Sequence, residues 1–302
     1  LSGCGLASRE LEVTDNTKLR SLEENPPLQD LLRRFSVEVL PKDSRGIEAA
    51  CDLLEPNAEV FVASLPNENA DALVAACARL RRGGLIPVPH LAARNIRSLS
   101  EFDETLSRLS TEAGIDHALV LGGDRDHAVG PFSASIDLIE TGLLQKHGVG
   151  KVAFGCHPEG HPRVADEVMW PALKVKIDAA HHAGLETYLV SQFAVAAEPI
   201  VSLVQRVRAA GITAPLRIGV AGPAAAATLI KYAVMCGVGP SLRALKERQA
   251  LAKAVATGET PEELLLDVMA AFKLNPALGL DGVHFFTFGS LENSVRFAQR
   301  LR

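Results

Sequence analysis

The chain has 302 residues, 47% hydrophobic and 22% charged, with 31 basic and 36 acidic side chains and a formal charge of -5. It is long enough to bury one large α/β core or two ordinary ones, and it has no basic tract to serve as a footprint for nucleic acid or an acidic membrane. Small-molecule chemistry is the expectation that remains, in a cytoplasmic protein with no membrane partner: no run of about 18 apolar residues occurs, the N-terminus is too polar for a signal peptide, and Cys4, Cys51, Cys77, Cys156 and Cys236 form no CxxC pair.

Residues 1–30 read as a polar leader and 31–302 as one catalytic domain. The first predicted strand, Phe35–Leu40, carries Glu38 among valines. Strand Glu59–Ser64 follows, ending on Ser64 with Asn67 just beyond, and helix Glu68–Arg82 comes next. Strand Leu85–His90 ends on His90 and precedes helix Ser100–Ala113. Strand His117–Gly122 runs into Gly123 and Asp124. Strand Lys151–Cys156 opens into "HPEGHP", and helix Val164–Ala183 follows with Lys176 inside it. Strand Glu186–Gln192 precedes helix Pro199–Ala210, strand Pro215–Val220 precedes a helical stretch over 241–273, and strand Gly282–Phe288 precedes helix Leu291–Leu301. Eight strand-helix units without a Pro/Gly-rich linker predict a single (β/α)8 barrel, a TIM barrel, with an N-terminal leader and an extra helical segment before the last strand. A doubly wound sheet would show GxGxxG after its first strand. Here that strand ends in "LPKDSRG", and "GVAGPA" after the seventh is a weak match.

In such a barrel the chemistry gathers at the C-terminal ends of the strands. Ser64, Asn67, His90, Asp124, His157, Glu159, His161, Gln192 and Thr287 are all predicted there, with Glu38 on the inward face of strand one. A buried carboxyl has a raised pKa, which suits Glu38 to act as a general acid near neutral pH. Gly122 and Gly123 let a ligand approach the backbone beside Asp124, whose alternative role is a helix N-cap. Asp126 and His127 read as solvated, and Lys176 alone reads as a surface lysine. In "FGCHPEGHP", Pro158 and Gly160 break any helix that would align His157 with His161, so a loop is expected there. A metal site built on Cys156, His157 and His161 is the competing reading.

Taken in order, "FSVEVLP", "PHLAAR", "LVLGGD", "HPEGHP", "LKVKIDAA", "VSQF" and "GVHFFTF" resemble the methylenetetrahydrofolate reductases over roughly residues 33–302. The resemblance implies a flavin-containing barrel that passes hydride from NAD(P)H through FAD to 5,10-methylenetetrahydrofolate, giving 5-methyltetrahydrofolate. By position it makes Glu38 the general acid, Asp124 a catalytic residue that contacts both pterin and flavin, and Gln192 a substrate ligand. Ser64, His90, Gly123, Asp124, His157, His161 and Lys176 would bind the cofactor. The implied partners are a tetrahydrofolate derivative and a nicotinamide nucleotide, with a homo-oligomer left open. Three departures weaken the implied flavin site: Gly122 replaces an arginine, Ala92 a threonine and His157 a tyrosine. Beyond these, "GPAAAA" lacks an expected aromatic and Ser290 stands where an arginine is common. Two alternatives therefore accompany the main reading: a folate-binding barrel in one-carbon metabolism with weak or no flavin, and a metal-assisted lyase or hydrolase.

Overall fold

The computed structural model describes residues 26–66, 70–238, 261–274 and 279–302. Most of the predicted leader, Asn67 and the first part of the predicted 241–273 helical stretch lie outside the described residues. Eight parallel strands close into a barrel in chain order: β1 (Ser36–Val39), β2 (Glu59–Val62), β3 (Ile86–Ala92), β4 (His117–Leu121), β5 (Lys151–Cys156), β6 (Glu186–Ala194), β7 (Leu216–Ala221) and β8 (Gly282–Phe286). Each coincides with a predicted strand to within two residues at either end. The described helices are α1 (Pro26–Leu32), α2 (Ser44–Leu53), α3 (Ala70–Arg82), α4 (Leu99–Ala113), α5 (Ser135–Glu140), α6 (Leu143–Lys146), α7 (Asp166–His182), α8 (Ala197–Ala209), α9 (Ala226–Met235), α10 (Glu262–Leu274) and α11 (Leu291–Arg300). The helix α10 is the described part of the extra segment before the last strand. Among the described residues no helix is long and apolar enough to cross a membrane.

The strands are apolar on both faces because one face meets helices and the other fills the barrel. Val37, Val39, Phe154 and Cys156 belong to the outer core between strands and helices. Phe61, Val88, Leu119, Ala153, Tyr188 and Val190 form a separate plug inside the barrel. Helix boundaries follow local chemistry. Asp43 Oδ1 accepts the Gly46 N–H at 2.9 Å to start α2, Ser98 Oγ accepts the Glu101 N–H at 3.1 Å to start α4, and Gly114 ends α4 at φ 54°. In β3, Pro87 and Pro89 cannot donate to a ladder, and pairing with β4 begins only at His90.

At the N-terminal end of the barrel the plug rests on charge. Arg217 of β7, almost fully buried, clamps both carboxylate oxygens of Glu59 at 2.5 and 3.0 Å and reaches Asp281 at 3.4 Å. Its guanidinium lies 5.1 Å from the Tyr188 ring, whose hydroxyl also points at Glu59.

The strand β6 is irregular. Val190 pairs with Arg217 but Phe193 pairs with Gly219, so β6 carries one residue more than β7 over this interval. This is a β-bulge, and it reverses the alternation of side chains. Tyr188 and Val190 point into the plug, yet Ala194 lies in the outer core. Phe193 turns instead toward Phe286 and Phe288, with ring centroids 5.4 and 5.1 Å away. The strand predicted to stop at Gln192 therefore continues to Ala194.

Candidate functional site

The C-terminal mouth of the barrel is built around Glu38 and His90. Glu38 points inward from β1, as the alternation predicts, and burial pushes its carboxyl up to about 7. His90 at the top of β3 brings Nε2 to 3.7 Å from Glu38 Oε2, just beyond hydrogen-bond range. Burial holds the imidazole down at about 3, so it is neutral and the contact is not an ion pair. Among the described residues its buried Nε2 has no hydrogen-bond partner. Beneath them, His284 of β8 is bonded through Nδ1 to Ser36 Oγ at 2.9 Å and packs edge-on to Phe61, with centroids 4.6 Å apart. The Thr287 hydroxyl donates to the Glu38 carbonyl at 2.8 Å, which ties the end of β8 to β1.

A second group gathers on the loops after β4 and β5. His157 and His161 meet edge to face, with ring centroids 4.7 Å apart. Pro158 and Gly160 lie between them in a turn, as expected, with Gly160 at φ 82°. Burial, then His161 and Lys176, bring His157 down to about 4, and among the described residues its Nδ1 has no hydrogen-bond partner. His161 Nδ1 accepts the Arg163 N–H at 3.1 Å. Lys176 is not a surface lysine: it is half-buried over the Phe154 ring at 5.3 Å, and burial lowers its pKa. Asp124 is exposed, and its carbonyl accepts from Arg163 Nη1 at 2.8 Å. It caps no helix, because the next one begins at Ser135.

Gly123 has φ 94°, and a Cβ there would lie 3.2 Å from that of Ala92. A glycine is therefore needed where β4 passes β3. Gly123→Ala should cost about 1–2 kcal/mol from the left-handed backbone alone. A urea midpoint equal to that of the unaltered protein would show that the turn does not need this conformation.

Ser64 stands on the other side of His90, in a cleft of about 370 Å³ that Asn95 and Arg125 also line. Asn95 reaches Ser64 Oγ at 3.5 Å and accepts from Arg125 Nε at 2.9 Å, while Arg125 Nη2 donates to the Pro66 carbonyl. One arginine thus laces the loops after β2, β3 and β4. Gln192 lies on the β6 bulge. The structure therefore brings Glu38 to His90, puts Ser64 in a cleft that His90 also lines, joins His157, His161 and Lys176 beside Asp124 and Gly123, and sets Gln192 on the β6 bulge.

Sequence reading missed Arg125, Asn95, His284 and Cys236. Cys236 follows α9, and burial followed by the charges of Glu38 and Asp124 pushes its thiol up to about 11, which places it beside the mouth. Tyr232 stacks on Phe288 at 4.5 Å, and Phe288 holds a positive φ of 48°, unusual for a bulky side chain. These rings form an aromatic wall that "GPAAAA" itself does not offer. The competing metal reading required Cys156 to join His157 and His161, but the Cys156 side chain turns to the outer core. Among the described residues no three His, Cys, Asp or Glu side chains are grouped as metal ligands.

Comparison with solved structures finds low similarity. Dihydropteroate synthase from Thermus thermophilus in complex with 6HMPPP has a TM-score of 0.48 and 14% identity, over 88% of this chain and 92% of that one. The 3-dehydroquinate dehydratase from Aquifex aeolicus has a TM-score of 0.40 and 11% identity, over 66% and 84%. Likeness at this level carries no argument about chemistry. The methylenetetrahydrofolate reductase family model, in contrast, matches residues 60–295, from β2 into α11. The matched span includes the β3, β4 and β5 loops with their histidines, Asp124, Lys176 and the Gln192 bulge, and with so much of the barrel covered, the chain belongs to the methylenetetrahydrofolate reductase family.

Proposed function

We propose that the protein is a flavin-dependent oxidoreductase that interconverts 5,10-methylenetetrahydrofolate and 5-methyltetrahydrofolate with NAD(P)H. Family membership supports an oxidoreductase on this barrel. The observation that carries the reading further is Glu38, which lies before the matched segment and is argued from its own surroundings. A carboxyl that titrates at about 7, facing a neutral histidine at the mouth, holds a proton that it can give up at physiological pH. In this reading it protonates the folate nitrogen that departs as the five-membered ring opens. Asp124 accepts hydrogen bonds from the amine edge of the pterin, and Gln192 contacts the same substrate.

The residues present fit the FAD that the family implies. His90 Nε2 and His157 Nδ1 are buried donors or acceptors in need of a partner. Among the described residues no carboxylate acts on Lys176, so an anionic phosphate would complete its surroundings. His90, His157, His161 and Lys176 would hold the group, which when bound supplies the redox centre between nicotinamide and folate. A folate-binding barrel with weak flavin affinity is favoured by one observation: Gly122 has no side chain where the family has an arginine, and a Cβ built there meets nothing within 4 Å.

Titration of the purified protein with FAD, followed by flavin fluorescence and absorbance, tests the reading. Saturable uptake is expected, and Lys176→Ala should weaken it about 10- to 100-fold, the size of one charge-assisted hydrogen bond. No uptake at millimolar FAD would leave the flavin-free alternative standing. Asp124→Ala should instead weaken folate binding by about 1.5–3 kcal/mol and FAD binding much less. An unchanged folate affinity would remove Asp124 from the substrate site.

A further inference from the structure

The bulge in β6 is held by one buried hydroxyl. Ser191 is 1% exposed, and its Oγ accepts the Gly219 N–H at 2.8 Å while donating to the Gln192 carbonyl at 2.9 Å. Its donor and one acceptor site are thereby used, and they join the irregular part of β6 to β7. Gly219 makes the approach feasible, since a Cβ there would come within 2.2 Å of the Ser191 carbonyl. At the next position Gln192 Oε1 accepts the Phe193 N–H at 3.0 Å. The amide oxygen is thus turned back on its own strand, and the NH2 group is what the side chain has left to offer at the rim.

We propose that Ser191 is a positioning residue that locks the β6 bulge onto Gly219, so that Gln192 meets its ligand as a hydrogen-bond donor and Phe193 joins the aromatic wall. The inference rests on the folate reading above. It specifies that the ligand atom opposite Gln192 is an acceptor, a carbonyl oxygen or an unprotonated ring nitrogen. A regular β6 would turn Phe193 toward the helices and separate the two side chains that the bulge places together at the mouth.

Equilibrium binding of 5-methyltetrahydrofolate, measured by calorimetry, tests this alongside reduction of an artificial dye by NAD(P)H in the FAD-loaded protein. Ser191→Ala should raise the folate Kd about tenfold, the worth of one positioned hydrogen bond. Dye reduction should not change, whereas a general loss of structure would raise the Kd and slow dye reduction together. Ser191→Thr keeps the hydroxyl and should bind like the unaltered protein. Should Ser191→Ala not fold, Ser191→Cys replaces it: the near-isosteric thiol bonds weakly, so the same rise is expected. A folate Kd unchanged in the folded Ala or Cys variant overturns the proposal. Failure of the unaltered protein to bind 5-methyltetrahydrofolate overturns the functional reading, and the proposal with it.

Discussion

Glu38→Gln should reduce folate turnover by about 10²- to 10⁴-fold, the usual contribution of a positioned general acid, while NAD(P)H-driven reduction of added dye continues. The amide has nearly the shape of the carboxyl but cannot transfer its proton. In the unaltered protein, turnover limited by this step should fall as pH rises through about 7, where Glu38 loses its proton. The residual activity of the variant should lack that descent. Folate turnover retained at the original rate would remove Glu38 from the mechanism. Stability should move the other way. The carboxyl titrates at about 7 in the folded chain against 4.5 ordinarily, so the folded state binds the proton more tightly. The resulting penalty is absent below pH 4.5, grows between 4.5 and 7, and is complete above 7. At 1.36 kcal/mol per pKa unit it is roughly 3 kcal/mol at most. Glutamine carries no such charge, so the variant should melt higher than the unaltered protein above pH 7 and with it below pH 4.5. A melting difference independent of pH would show that Glu38 is not desolvated.

The second large effect lies at the opposite end of the barrel. Arg217→Met should destabilise the fold by about 3–5 kcal/mol, because it leaves Glu59 charged and buried with its main partner removed. Denaturation in urea would read this as a lowered midpoint with an unchanged slope. Combining Arg217→Met with Glu59→Gln should recover part of the loss, since the stranded charge is then gone. If the single variant unfolds at the original midpoint, the clamp contributes nothing net and the plug above it suffices.

Much of this architecture was legible because barrel strands are buried on both faces and so appear as short apolar runs between turn residues. The same logic made Glu38 conspicuous, as a carboxylate among valines on an inward position. Arg217 carried an equal signal, a cation inside "PLRIGV", but its partner Glu59 is 158 residues away and nothing local connects them. The pairing of Ser36 with His284, 248 residues apart, was hidden for the same reason. The histidines after β5 were placed in a loop correctly because Pro158 and Gly160 act locally. Arg125 was overlooked because an arginine in a polar loop looks solvated, and only closure of the barrel brings it against Asn95 and Pro66. The β6 bulge was invisible because a one-residue excess shows only against the neighbouring strand.

The plug of Phe61, Val88, Leu119, Ala153, Tyr188 and Val190 stands between the charges at the base of the barrel and Glu38, although, after burial and His90, Arg217 still helps to lower the pKa of His284. Below it the Arg217 guanidinium is bonded to the carboxylates of Glu59 and Asp281. Above it the carboxyl of Glu38 is shifted by lack of water, with no contribution from Arg217. Charge can therefore be altered at the base to make the barrel firmer or looser without retuning the proton affinity of Glu38, and the chemistry of the rim can diverge while the foundation beneath it stays as it is.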